Sequence, residues 1–303
     1  MATTDDQRMR VHELIDQLWN FHDPVASEHR FAEAIAREPD PANQLVLMTQ
    51  QARSLGLQRR FDEAHALLER VEQTAAQHPK DGRYGAALPW YVIERGRVFN
   101  SAGDRDAAQP LFEEAWKFAT SLGWNALAVD AAHMLAIVAG PEESQRWNER
   151  ALDLAESSDD ERARRWRASL LNNLGWTYHD GGEYERALDH FERALEARKE
   201  RGQERETLIA RWAVARCLRS LGRTDEALSM QRELMTAWDE LGEQDGYVFE
   251  EIGECLLLMN QPEEARPHFA SAHDLLQRDP WVSANQPEHL ARLAELGEVR
   301  PDD

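Results

Sequence analysis

A spaced pattern of small and large side chains recurs along this chain and narrows what it can fold into. The clearest copy runs from Leu171 to Arg201: Leu171-Asn-Asn-Leu174-Gly175-Trp-Thr-Tyr178, then Asp180-Gly-Gly182-Glu-Tyr184, then Ala187, Phe191 and Ala194. Intervals of three and four residues place these positions on one face of a helix. The Gly-bearing stretch between them is a turn. Gly or Ala is needed wherever two helix backbones cross closely, so the order predicts a pair of antiparallel helices in contact.

The second half of the pattern, small–x3–large–x2–small, also fits Ser27/Phe31/Ala34, Ala64/Leu68/Val71, Ala108/Phe112/Ala115 and Ala265/Phe269/Ala272. Two weaker copies are Ser144/Asn148/Ala151 and Ala227/Gln231/Leu234. Twelve residues before six of these anchors stand Ala52, Gly96, Ala132, Gly175, Ala215 and Gly253, the small positions of the preceding helices. In the N-terminal copy Ile15 takes that place. Successive anchors are 37, 44, 36, 43, 40 and 38 residues apart. A fixed unit of this length, repeated, is the mark of a stacked array in which each pair buries its apolar face on its neighbours.

The reading is seven helical pairs at about 8–40, 43–78, 87–121, 125–157, 164–201, 206–241 and 246–279, with a capping helix at 287–297 and one domain over 1–303. Gly103-Asp104, Gly140-Pro141, Gly181-Gly182, Gly222-Arg223 and Asn260-Gln-Pro262 mark the turns. The longer spacings predict extra length in some connections, with loops at Pro79 to Gly85 and Ser157 to Asp160.

Composition excludes several function classes. A formal net charge of −21 disfavours nucleic acid and anionic membranes as partners. No apolar run is long enough to cross a bilayer, and Met1 to Arg10 is too polar for a signal peptide. Cys217 and Cys255 make no disulfide framework or metal cluster, so the expected setting is reducing and cytoplasmic. There is no Gly-rich phosphate loop, no His-Glu-x-x-His and no Gly-x-Ser-x-Gly elbow. His12 and Asp16 stand one turn apart but lack a third ligand. The expectation is no catalytic residue, no cofactor and no metal.

Leu174, Gly175, Tyr178, Ala187 and Phe191 together resemble the tetratricopeptide repeat, and the Leu-Asn-Asn-Leu opening with its longer period is similar to the kinesin-light-chain-like subgroup. Leu171 stands where Trp is typical, and Lys199 where Pro usually closes the unit. The resemblance implies an all-α, right-handed α-solenoid whose first helices line a concave groove. It also implies an interaction module without catalytic residues.

Given that groove, helix geometry selects the residues one and four after each small position and three before it. The selection is Arg53, Arg97, Asn100, His133, Asn172, Trp176, His179, Trp212, Arg216 and Arg219, with Trp90 a turn earlier on the same stripe. Arg and Trp carry much of the energy of interfaces through bidentate carboxylate contacts and rigid aromatic area. The expected partner is therefore a protein or peptide with acidic and apolar side chains, held by a scaffold or adaptor. Two alternatives stand beside it. One is a sensory receptor in which a small molecule or signalling peptide modulates a partner protein. The other is a self-associating structural subunit built on Leu14, Leu18, Trp19 and Phe21.

Overall fold

The computed structural model describes residues 4–299, and their side chains from Arg10 onward. Every regular element among the described residues is a helix. Seven pairs follow one another: α1 (Thr4–Leu18) with α2 (Pro24–Arg37), α3 (Pro41–Leu57) with α4 (Phe61–Gln77), and, after the single turn α5 (Gly82–Gly85), α6 (Leu88–Ala102) with α7 (Arg105–Ser121). The fourth pair is α8 (Asn125–Val138) with α9 (Pro141–Ser157), followed by the short α10 (Glu161–Arg164). Then come α11 (Arg167–Asp180) with α12 (Tyr184–Glu200), α13 (Glu204–Ser220) with α14 (Thr224–Glu240), and α15 (Gly246–Leu258) with α16 (Pro262–Leu276). The short α17 (Pro280–Asn285) leads into α18 (Pro287–Gly297).

Local chemistry sets these boundaries. Asp23, Asp40, Asp104 and Asp245 each accept a backbone N–H at the first turn of the helix they precede, and Pro opens α2, α3, α9, α16 and α18. Gly103, Gly182, Gly222 and Asn260 end first helices with positive φ, as the turn signals require. Gly140 differs: it is extended at φ −70°, ψ 168°, because the proline after it disfavours helical backbone. The two long connections are not plain loops. Asp81 and Asp160 nucleate one turn each, α5 and α10, by accepting the N–H of the residue two further on.

The chain forms two compact units, Met1–Trp166 and Arg167–Asp303. In the first, α2 packs on α3, α3 on α4 and α6, α6 on α7, α7 on α8 and α8 on α9. In the second, α11 to α16 pack in succession and α18 closes on α16. The repeat positions are the core: Phe31, Leu68, Phe112 and Phe269 are fully buried and Phe191 is 1% exposed. Gly96, Gly175 and Gly253 lie so close to Phe112, Phe191 and Phe269 that an added Cβ would stand 2.5–2.8 Å from the ring. Leu14, Leu18 and Trp19 pack against the first unit's own core, whereas Phe21 is 55% exposed. No helix among the described residues is long and apolar enough to cross a membrane.

Candidate functional site

The arginines expected to line an inner face fall into one cluster in each unit, and acidic side chains hold both clusters. In the first unit, Glu94 of α6 is fully buried. Its Oε1 accepts from Gln50 Nε2 at 3.1 Å and from Arg97 Nη1 at 2.6 Å, and Arg53 Nε lies 3.8 Å from Oε2. Arg97 also pairs with Asp130 of α8. Burial opposes the charge of Arg97, but Asp130 and Glu94 outweigh it and raise its pKa. The Arg53 guanidinium lies over Trp19 and Phe21, 5.2 and 5.1 Å from the ring centres, and Trp19 Nε1 donates to Gln50 Oε1 at 3.0 Å. Two cations face two anions here, so the cluster is neutral.

His133 of α8 is half-buried, with its ring 5.1 Å from that of Trp166. Burial lowers its pKa. Asn100 is half-buried toward the end of α6. Trp90 does not join the arginines; it meets His12 edge-on at 5.2 Å and lines a cavity elsewhere in the unit.

The second unit has a different balance. Trp176 of α11 and Trp212 of α13 lie 5.9 Å apart, centre to centre, and the Arg216 guanidinium is 6.0 and 5.9 Å from them. Arg216 pairs with Glu251 of α15, whose side chain is 1% exposed. Arg219 grips the same carboxylate through Nε at 2.7 Å and Nη2 at 3.0 Å. Two guanidinium groups thus share one carboxylate, leaving one positive charge in excess. Arg216 is the outer of the two, with 33% of its side chain exposed against 18% for Arg219. His179 stands beside Trp176 at 5.3 Å and contacts Ser220 Oγ through Nε2 at 2.9 Å. Burial, and then Arg216, lower its pKa. Trp212 Nε1 donates to the carbonyl of Tyr247 at 3.1 Å, which fixes the indole. Asn172 is half-buried one turn before Trp176.

The three acids and one amide that complete the clusters went unselected in the sequence, yet they share one register. Gln50, Glu94, Asp130 and Glu251 each precede a small first-helix residue, Ala52, Gly96, Ala132 or Gly253, by two. At 100° per residue that position lies about 60° from the one just after the small residue, on the flank toward the preceding first helix. Hence Arg53 faces Glu94, Arg97 faces Asp130, and Arg216 faces Glu251, each across to the next pair. At the C-terminal end the charges invert. Glu254 takes the arginine place and pairs with Arg292 of α18 at 2.5 Å, while Glu250 meets His289 at 2.8 Å. What these residues share is a repeat position, not a residue type or a local motif.

The tetratricopeptide repeat family pattern matches residues 125–200 and 206–278, which cover the fourth to seventh pairs. This is a tetratricopeptide repeat protein. The first three pairs carry the same packing register in the structure, outside the matched stretch. Solved tetratricopeptide-type structures share the fold. The apo form of RapI superposes with a TM-score of 0.73 at 13% identity, over 95% of this chain and 83% of that one. A STAND signal-transduction ATPase with a tetratricopeptide repeat sensor, from Pyrococcus horikoshii, gives 0.70 at 14% identity, over 98% of this chain and 44% of that one. NprR in complex with its cognate peptide NprX gives 0.56 at 14% identity, over 100% of this chain and 88% of that one. No curated protein matches the sequence. At these identities the likeness speaks for the helical solenoid of tetratricopeptide repeats, and the side chains of the clusters above are this chain's own.

Proposed function

We propose that this tetratricopeptide repeat protein is a cytoplasmic peptide-binding module that works by positioning and burial rather than chemistry, and that its second unit carries the primary contact. The observation behind this reading is Arg216: a partly exposed guanidinium between two indoles, in a cluster with one positive charge more than its carboxylate can offset. A peptide carboxylate would take the remaining donors of Arg216, and an adjacent apolar side chain would lie against Trp176 and Trp212. The chain's net charge of −21 makes this spot a local attraction for an acidic segment. His179, Arg219 and Asn172 flank the contact. In the first unit, Arg53, Arg97, Asn100, His133 and the separate Trp90 would make contacts of their own, independent of the second unit's site. The peptide-bound NprR structure supports a peptide as the ligand class.

The test is a tryptophan-fluorescence titration with a peptide array varying acidic and apolar positions independently. Arg216→Gln is expected to weaken the tightest acidic peptide by about tenfold or more, and Trp176→Ala by a similar factor. Equal binding by wild type and both variants would remove the site from the second unit. A second reading is favoured by neighbours described as a quorum sensor and a repeat sensor: the bound peptide is itself the signal and alters a further partner. Partner capture with and without the peptide separates the two.

A further inference from the structure

The two connections that lengthen the repeat in the first unit both turn toward α1. Arg162 of α10 donates to Asp16 Oδ2 and to the carbonyl of His12, each at 2.6 Å, and Arg165 lies 3.6 Å from the same carboxylate. These contacts hold α1 against the unit. Beneath it lies a cavity of about 290 Å³ whose other walls come from the start of α3, from α5, from α6 and from the α7–α8 turn. Its body is apolar, with Val11, Val46 and Leu122 among the walls and Trp90 and Trp124 presenting indole surface. His12 meets both indoles edge-on, at 5.2 and 6.4 Å.

We propose that this cavity binds a small amine with an aromatic or similarly apolar body. Its volume sits at the lower end of small-molecule sites, about 300 Å³ and upward, and suits a single ring with a short arm rather than a peptide. The sign of the ligand follows from the polar wall. Asp40, with 19% of its side chain exposed, lines the cavity beside Asn43 and Arg83. Arg83 is engaged mainly elsewhere: it grips Asp81 through Nε at 3.1 Å and Nη2 at 2.7 Å, and only its Nη1 approaches Asp40, at 3.6 Å. Two carboxylates therefore face one guanidinium, and the negative charge in excess falls at the cavity. An ammonium group satisfies that carboxylate, and the indole faces attract a cation as well. An acid of the same shape would meet Asp40, whose charge Arg83 offsets only in part. None of Trp176, Trp212 or Arg216 takes part, so the site is independent of the peptide contact in the second unit.

The experiment is isothermal titration calorimetry of the full chain with phenethylamine and with phenylacetate, which match in ring and differ in charge. Asp40→Asn removes the charge while keeping an N-cap for α3, where Asp40 accepts from Ala42 N at 3.0 Å. Ala86→Phe fills the cavity from the end of α5 without touching a charge; circular dichroism confirms that both variants are folded. Phenethylamine is expected to bind wild type, to bind Asp40→Asn about tenfold or more weakly, and not to bind Ala86→Phe. Phenylacetate is expected not to bind. The proposal is overturned by absence of phenethylamine binding at millimolar concentration, by equal binding to wild type and Ala86→Phe, by equal binding to wild type and Asp40→Asn, or by phenylacetate binding as tightly as the amine.

Discussion

In six of the seven pairs the large second-helix position stands sixteen residues after a small first-helix residue, the first pair departing with Ile15 before Phe31, and in those six the presence of a Cβ goes with a smaller partner. Where the small residue is glycine, at Gly96, Gly175 and Gly253, the large one is Phe112, Phe191 or Phe269. Where it is alanine, at Ala52, Ala132 and Ala215, the partner is Leu68, Asn148 or Gln231. Gln231 is fully buried, and neither of its side-chain polar atoms has a hydrogen-bond partner. Gln231→Leu, copying the Ala52–Leu68 combination, is expected to stabilise the protein by about 1–2 kcal/mol in urea unfolding. Gln231→Phe alone is expected to cost about 1–3 kcal/mol through overpacking against Ala215. Adding Ala215→Gly should recover much of that loss; additive effects in the double-mutant cycle would refute the pairing. The cysteines obey the same packing logic. Burial pushes the Cys217 thiol up to about 11 and the Cys255 thiol up to about 12, and both are fully buried. Neither should react with a thiol reagent at pH 8 until the chain is unfolded, as a timed labelling assay would show.

Between elements, three pairs of first helices, α3 and α6, α6 and α8, and α13 and α15, are joined by an arginine at one repeat position that meets an acid of the next pair. Glu251 is the acid on which Arg216 and Arg219 both depend. Glu251→Gln leaves two guanidinium groups side by side with no carboxylate in contact, only Glu254 acting on Arg219 from further off, and is expected to cost about 2 kcal/mol, less than a fully buried pair because Arg216 is partly exposed. Arg216→Gln leaves Glu251 paired with Arg219 and should cost under about 1 kcal/mol. Denaturant midpoints of the two variants check the asymmetry; if both lose the same stability, the carboxylate is not shared as described. The same asymmetry makes Arg216→Gln a usable probe of peptide binding, since it removes an outward cation without dismantling the joint between α13 and α15.

Taken along the whole molecule, His65, His133, His179 and His268 all have pKa values lowered from 6.5, in each case first by burial. The unfolded chain takes up these protons more readily than the folded one. Their contribution to stability is therefore complete above about pH 6.5 and is lost as the pH falls through 6.5 toward the lower folded values. Urea unfolding at pH 7.5 and 5.5 should show the folded state weakened at the acid end, and His133→Asn should flatten the difference. An unchanged slope in that variant would mean His133 takes up its proton equally in both states.

The sequence by itself determined the helices and their order, because helix pairing is a local matter of period and size. Ala, Gly and Phe at fixed intervals specify which faces meet, and Asp, Pro and Gly at the ends specify where each helix stops. Seven pairs and the cap at Pro287 stand within a few residues of where that pattern places them. The inner-stripe residues were legible as positions but not as charges. Whether Arg97 or Arg216 is an outward cation depends on what stands opposite, and Asp130 and Glu251 lie 33 and 35 residues away on a neighbouring helix. The connections were legible only as extra length. That α5 helps wall a cavity, and that α10 reaches Asp16 across 146 residues, depends on how stacked pairs turn back toward α1. No periodicity encodes that return, because it sums small rotations over several helix crossings, each set by contacts that exist only once the pairs have packed.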